Sequence, residues 1–324
     1  MASKAFRSRV VSVIGTGVIG RSWMRVFARA GLETRIWDRD PARIDQAWEW
    51  YKADLRRLRK ELGLAKAETR EERRSVVRCA TLEEALAGAR YVQESGPEDL
   101  DAKRELFAQL DAAAPPAAIL ASSTSALDLG AIVEGIAGAH RCVVAHPVNP
   151  PHVVPVVEVL GGPATDPATV RRTLRFLARV GQVPVLLRRY APGFLLNRMQ
   201  AALVREAVNL VRDGVASVEA VDAVVREGLG LRWALMGPFG VANTNADGGI
   251  REYFTRYGAS YESLWADLAT DTALTPELIE RLGTGTDLMT RRTSREVQRQ
   301  WRDDGVARLR RLKESHPLTP PGDE

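Results

Sequence analysis

The stretch Val10-Val11-Ser12-Val13-Ile14-Gly15-Thr16-Gly17-Val18-Ile19-Gly20 decides the fold. Its β-branched run suits a parallel strand buried on both faces. An amphipathic pattern follows through Ala30, and Gly31 punctuates its end. Strand, glycine turn and helix, in that order, form the context in which G-x-G-x-x-G holds a dinucleotide. Gly15 makes the tight turn and Gly17 admits backbone to a pyrophosphate. Gly20 lets helix and strand pack closely, while Val18 and Ile19 lie at the helix N-terminus, whose amides favour an anion. The next strand, Thr34-Arg35-Ile36-Trp37-Asp38, ends in an acid. Asp38 would accept hydrogen bonds from the adenosine ribose and repel a 2′-phosphate. NAD is therefore expected over NADP, with Arg39 as the one opposing neighbour.

Outward from this unit the alternation continues. Asp40-Pro41 opens a helix to about Leu62, with aspartate as cap and proline in the first turn, and a further helix is expected around 68–74. Apolar runs at 75–79, 90–93, 117–121 and 141–145 read as strands, separated by helical stretches at 82–87 and 99–113. This pattern predicts an α/β fold, a doubly wound Rossmann-type sheet. Strands are also expected at 153–160 and 183–187. Beyond Arg188-Arg189-Tyr190 the periodicity turns helical, over 193–213, 217–227, 238–257, 275–290 and 294–313. The expected domains are thus 1–190 for the dinucleotide and 191–315, all helical, for substrate and dimerisation. The proline-rich 316–324 reads as a disordered tail.

Composition narrows the classes. With 45% hydrophobic residues over 324, the chain can bury two cores, yet no apolar run approaches the ~18 residues that a membrane span needs. Met1 to Arg9 is short and polar, so no secretory leader is expected. Cys79 and Cys142, each beside valines, read as buried free thiols of a cytoplasmic protein. The net charge of +5 comes from arginines spaced along helix faces without interleaved aromatics, which argues against nucleic acid and suits small anionic ligands.

Four histidines are available, at 140, 146, 152 and 316. His146 ends an apolar strand before Pro147-Val148-Asn149-Pro150-Pro151, the strand-end position where open α/β sheets bind ligands. Twelve residues on, Glu158 is a charge inside the apolar run Val156-Val157-Glu158-Val159-Leu160. If the proline turn folds this strand back, the carboxylate reaches the imidazole and the two form a base and its orienter. A metal site built on His140, His146 and His152 has the wrong spacing, and none is expected.

Taken with Glu94-Ser95-Gly96-Pro97-Glu98, Ser122-Ser123-Thr124-Ser125 and Gly193-Phe194-Leu195-Leu196-Asn197-Arg198, these motifs occur in one order. The chain resembles the 3-hydroxyacyl-CoA dehydrogenase superfamily over residues 10 to about 300. It is most similar to the L-gulonate dehydrogenase and lambda-crystallin branch, through Val18-Ile19-Gly20-Arg21-Ser22-Trp23, Gly228-Leu229-Gly230-Leu231-Arg232 and Arg299-Gln300-Trp301-Arg302-Asp303. The resemblance implies His146 as general base, Glu158 as its partner, and Ser125 and Asn197 as a polar grip on the reacting oxygen. It implies Glu98 and Lys103 as cofactor contacts near the ribose and nicotinamide. Each also has an ordinary reading: Ser125 as a helix cap, Asn197 as an interhelix bond, Lys103 on a solvated face.

The insert Leu231-Arg232-Trp233-Ala234-Leu235-Met236 resembles the gulonate and carnitine branches, and Arg232 is expected to clamp a substrate carboxylate, in its own or a partner subunit. The expected activity is NAD-dependent oxidation of a secondary alcohol β to a carboxylate, on a small anionic hydroxy acid. L-gulonate leads, with L-carnitine and a 3-hydroxyacyl-CoA as alternatives. Carnitine would need an aromatic cage, for which Trp233 and Tyr253 are candidates. A non-catalytic crystallin-like NAD-binding protein is the alternative of another class. Apolar surface on the helical half leads us to expect a homodimer.

Overall fold

In the computed structural model, residues 10–62, 72–291 and 293–316 are described. The chain divides into two compact units, Met1–Leu196 and Asn197–Glu324. The first is built on an eight-stranded sheet. In chain order its strands and helices are β1 (Val10–Ile14), α1 (Val18–Arg29), β2 (Glu33–Trp37), α2 (Pro41–Leu62), β3 (Val76–Arg78), α3 (Leu82–Leu86), β4 (Tyr91–Glu94), α4 (Leu100–Ala113), β5 (Ile119–Ser122), α5 (Leu129–Ile132), β6 (Cys142–Pro147), β7 (Val156–Leu160), α6 (Pro167–Arg179) and β8 (Val183–Leu186). The strand order is β3-β2-β1-β4-β5-β6-β7-β8. Pairing is parallel throughout except between β6 and β7. The order reverses between β1 and β4, and that switch point opens the crevice in which such sheets bind ligands.

Alternation along each strand explains the two cores. Val11 and Val13 of β1 face one apolar cluster with Trp23 and Phe27 of α1 and Phe176 of α6. Ile14 faces the other, with Val92, Leu120, Val144 and Phe107. Burial on both faces is what the unbroken β-branched runs encode. Trp23, Val26 and Phe27 repeat at helical spacing, and Phe27 meets Trp23 at 5.2 Å, Phe176 at 5.7 Å and Tyr91 at 5.9 Å. Truncating Phe27 to alanine would cost about 3–5 kcal/mol. Two residues before Phe27, Arg25 is buried yet paired, with Asp54 of α2 at 2.9 Å and with Glu72, so α2 is pinned to α1 by charge as well as by packing.

The strand expected over 153–160 begins at Val156, because the amides of Val153 and Val154 are taken by the carbonyl of Pro150 in a tight turn. Within the helix expected at 68–74, residues 72–74 are helical and the remainder lies outside the described residues, as does 317–324 of the expected tail.

The second unit is helical: α7 (Leu196–Arg212, entering from the first unit), α8 (Val218–Ala223), α9 (Gly230–Leu235), α10 (Pro238–Thr244), α11 (Gly249–Asp267), α12 (Pro276–Met289) and α13 (Arg295–Ser315). Two features differ from the sequence reading. The helix expected at 238–257 is broken, since Asn243 Oδ1 accepts from Ile250 N and Glu252 from Gly248 N, capping a new start at Gly249. Conversely α8 does not stop at Gly228 but continues through a π-turn over Val224–Leu229 into α9. A Cβ on Gly230 would lie 2.9 Å from the Val225 carbonyl, so glycine permits that wider turn. Among the described residues, no helix is long and apolar enough to cross a membrane. Cys79 and Cys142 are free and buried.

Candidate active site

Gly15 has φ +90°, and a Cβ there would sit 2.6 Å from the Ser95 carbonyl at the end of β4. A Cβ on Gly20 would meet Gly15 O at 1.8 Å. Both glycines are therefore required by the protein itself. Gly17 is different: a Cβ there meets nothing within 4 Å, so the space beside it is open for a ligand. No side chain caps α1 and no acid stands in its first turn, which leaves its amides and dipole free for an anion. Asp38 is buried, with Oδ2 accepting from Thr16 N at 2.7 Å and from its hydroxyl at 3.1 Å. Those bonds tie the Asp38 carboxylate to the glycine turn. A cleft of about 650 Å³ runs over Gly15, Gly17, Val18, Ile19, Asp38 and Ser95. An elongated dinucleotide fits these residues.

The turn at 148–155 sends β7 back antiparallel to β6 and sets His146 directly opposite Glu158. Imidazole Nδ1 lies 2.9 Å from Glu158 Oε2, in a pair of which His146 is 7% and Glu158 2% exposed. The other carboxylate oxygen accepts from the amides of Leu195 at 2.7 Å and Leu196 at 3.0 Å. Burial alone would raise the Glu158 pKa. The hydrogen bonds from His146, Leu196 and Leu195 outweigh it and hold the carboxyl below the usual range. Those two amides are presented by Gly193 and Phe194, both left-handed, at φ 76° and 52°. A buried phenylalanine in that region is strained. Its ring lies 5.3 Å from that of His146, so the strained turn also forms a wall of the imidazole site. The motif Gly193-Phe194 was visible in the sequence, but nothing in a phenylalanine codes for positive φ.

Ser125 follows β5, the neighbour of β6, in which Ser122 pairs with Val144. Glu98 Oε1 gathers four donors: the Thr124 hydroxyl at 2.7 Å, Ser125 N at 2.8 Å, the Ser125 hydroxyl at 3.1 Å and Ala126 N at 3.0 Å. Partial burial pushes the Glu98 pKa up, but the Thr124 hydroxyl, the Ser125 amide, the Lys103 charge and the Ala126 amide bring it below the ordinary value. Lys103 lies on no solvated face. It is 1% exposed, and its ammonium stands 2.7 Å from Glu94 Oε1 and 3.8 Å from Glu98 Oε2. The structure thus joins Ser125 and Lys103 through Glu98, and anchors Lys103 on Glu94, a residue to which sequence reasoning gave no role. Glu94 is fully buried and also accepts from Gly96 N at 2.6 Å and Ser122 Oγ at 2.6 Å.

The remaining candidates belong to the second unit. Asn197 is the second residue of α7 and half-buried. Arg232 is exposed on α9, with Nε 3.4 Å from its own helix's Gly228 carbonyl. Trp233 is 39% exposed, whereas Tyr253 packs among Phe254, Tyr257 and Tyr261 of α11, its hydroxyl 2.9 Å from that of Tyr261.

Comparison with known proteins identifies the family. Residues 10–190 match the model of the 3-hydroxyacyl-CoA dehydrogenase NAD binding domain, and 193–286 that of the 3-hydroxyacyl-CoA dehydrogenase C-terminal domain. The chain is 39% identical to the lambda-crystallin homolog of Bos taurus over 311 residues, covering 95% of this chain and 96% of that one. It is 42% identical to L-carnitine dehydrogenase of Streptomyces griseus over 261 residues, 80% of this chain and 77% of the other. Among solved structures, an NAD+-dependent 5-formyl-3-hydroxy-2-methylpyridine 4-carboxylic acid 5-dehydrogenase superposes with a TM-score of 0.78 at 26% identity, over 95% of this chain and 99% of that one. The chain belongs to the 3-hydroxyacyl-CoA dehydrogenase family of NAD-dependent enzymes.

Proposed function

We propose that the chain oxidises a secondary alcohol β to a carboxylate, with L-gulonate as the leading substrate. One observation carries the reading: a buried imidazole whose Nδ1 faces an ionised glutamate at 2.9 Å. A carboxylate at Nδ1 requires the proton there, which leaves the lone pair on Nε2. Among the described residues Nε2 has no hydrogen-bond partner. His146 is then the base that takes the hydroxyl proton, and Glu158 stabilises the imidazolium that forms. Bound NAD supplies the hydride acceptor. The Ser125 hydroxyl, 3.1 Å from Glu98, can turn its proton to the substrate oxygen, because Glu98 keeps the Thr124 hydroxyl and the Ser125 and Ala126 amides. We assign Asn197 to the same grip. Glu98 and Lys103 act on the cofactor side, Glu98 at its edge and Lys103 from beneath, by holding Glu98 and Glu94 in place.

Arg232 is our candidate for the substrate carboxylate, exposed as a clamp must be before it closes on a ligand. Carnitine is the second reading, because the tilted rings of Tyr253, Tyr257 and Tyr261 on α11 gather the aromatic faces that a quaternary ammonium needs. A 3-hydroxyacyl-CoA is the third. NADH formation with L-gulonate, L-carnitine, 3-hydroxybutyrate and 3-hydroxybutyryl-CoA separates them. Tight NADH binding with turnover of none of the four would favour a non-catalytic crystallin-like role.

We also read the second unit as the face of a homodimer, in a cytoplasmic enzyme. Phe239, Leu288 and Trp301 are 73%, 71% and 74% exposed, and Trp265 57%. Apolar surface on that scale marks an interface. Sedimentation showing a monomer at micromolar concentration would remove this part of the reading.

A further inference from the structure

Arg21, the first residue after the glycine motif, sits half-buried in the first turn of α1 with its guanidinium 4.9 Å over the Trp50 ring of α2. Trp50 also meets His152 edge-on, with ring centroids 5.4 Å apart at 74°. Arg21 Nε is sealed from solvent without a hydrogen-bond partner, and no carboxylate among the described residues pairs with the group. Burial lowers its pKa with no acid to oppose the effect. The contrast with Arg25, one turn along the same helix and held by two carboxylates, is direct. A guanidinium partly removed from water carries a cost that native structures normally offset with an anion.

Arg21 does not line the cleft over the glycine turn and Asp38. His152 lies in the turn that follows His146, and Arg21 in the first turn after β1, so the trio stands at the carboxyl edge of the sheet, where the imidazole also lies. We infer that Arg21, stacked on Trp50 and walled by His152, is a subsite for an oxyanion of the substrate. The indole holds the guanidinium plane, so its fork is preorganised for two oxygens of a carboxylate or phosphate. The inference rests on the hydroxy-acid reading above. It adds a second cation to the recognition assigned to Arg232, on the nucleotide-binding unit itself.

The test is Arg21→Gln in the full chain, against two matched pairs of ligands. One pair is L-gulonate and its neutral 1,4-lactone. The other is 3-hydroxybutyryl-CoA and the phosphate-free 3-hydroxybutyryl-N-acetylcysteamine. The expected result is a loss of about tenfold or more in kcat/KM for the charged member of one pair, since a charge-assisted bond is removed. The neutral member and the KM for NAD should move less than about twofold. Loss on the gulonate arm names a carboxylate, and loss on the CoA arm a phosphate. Arg21→Lys keeps charge without the planar fork and should recover part of the loss, with the melting temperature as control for folding. Equal losses for charged and neutral members, or none, would overturn the subsite. Should the parent turn over none of them, the hydroxy-acid reading fails separately. Tryptophan emission titrated with gulonate and with CoA then decides the subsite. A response present in the parent and missing in Arg21→Gln sustains it, and identical responses end it.

Discussion

Replacing Glu158 by glutamine tests how the imidazole is prepared. The amide oxygen can still accept from Leu195 and Leu196, as the carboxylate does at 2.7 and 3.0 Å. Its NH2 group then faces His146 Nδ1, where the carboxylate oxygen stood at 2.9 Å. A donor at Nδ1 demands a lone pair there and forces the proton onto Nε2, so the ring presents the wrong tautomer to the substrate. Loss of a positioned base of this kind costs about 10²–10⁴ in rate, or about 3–5 kcal/mol in the barrier. Stability should change far less. Three bonds lose their charge-assisted part, about 1 kcal/mol each, while the relief of a buried charge offsets some of that. The assay is NADH absorbance at saturating substrate, with circular dichroism and urea unfolding on the same samples. A folded variant with kcat within about threefold of the parent would refute the tautomer argument.

Other consequences can be checked directly. Glu158 and Glu98 both have carboxyls held below the ordinary 4.5, so the unfolded chain takes up protons first as pH falls. Their stabilisation is complete above about pH 4.5 and is lost as pH drops through the folded values, so urea midpoints should decline below pH 5, less steeply for Glu98→Gln. The glycine pair separates folding from binding. Gly20→Ala drives a Cβ to 1.8 Å from Gly15 O and should prevent a stable fold. Gly17→Ala meets nothing within 4 Å, so it should melt like the parent yet bind NADH at least tenfold more weakly, by about 1.4 kcal/mol. Glu94→Gln leaves the Lys103 ammonium buried without a full counter-charge and should cost about 3–5 kcal/mol in urea unfolding. Adding Lys103→Met should restore part of it, and additive losses would show that the pair is not coupled.

Much of the site could be read from residue types. The β-branched run to Ile14, the three glycines and Asp38 each carry a chemical signature, and the structure gathers Ile14, Gly15, Gly17 and Asp38 around one cleft, with Gly20 packed behind it against the Gly15 carbonyl. Glu158 betrayed itself as a charge within an apolar strand, and the prolines after His146 indicated the reversal that brings the two together. What escaped was carried by backbone or by depth. The amides of Leu195 and Leu196 have no residue code, and the positive φ of Phe194 contradicts its local preference. In the sequence Glu94 has no assigned role and Lys103 is expected at the cofactor through resemblance alone; only their burial reveals them as partners. The break at Asn245 and the π-turn before Arg232 depend on capping and crowding that hydrophobic periodicity does not register.

A single-turnover experiment with His146→Asn addresses the catalytic assignment itself. Enzyme preloaded with NAD is mixed with whichever hydroxy acid the parent oxidises best, and NADH appearance is followed. The account predicts at least a thousandfold slower hydride transfer, about 4 kcal/mol, with NADH affinity and melting temperature unchanged. Transfer at the parent's rate in a folded, NAD-saturated variant would contradict it.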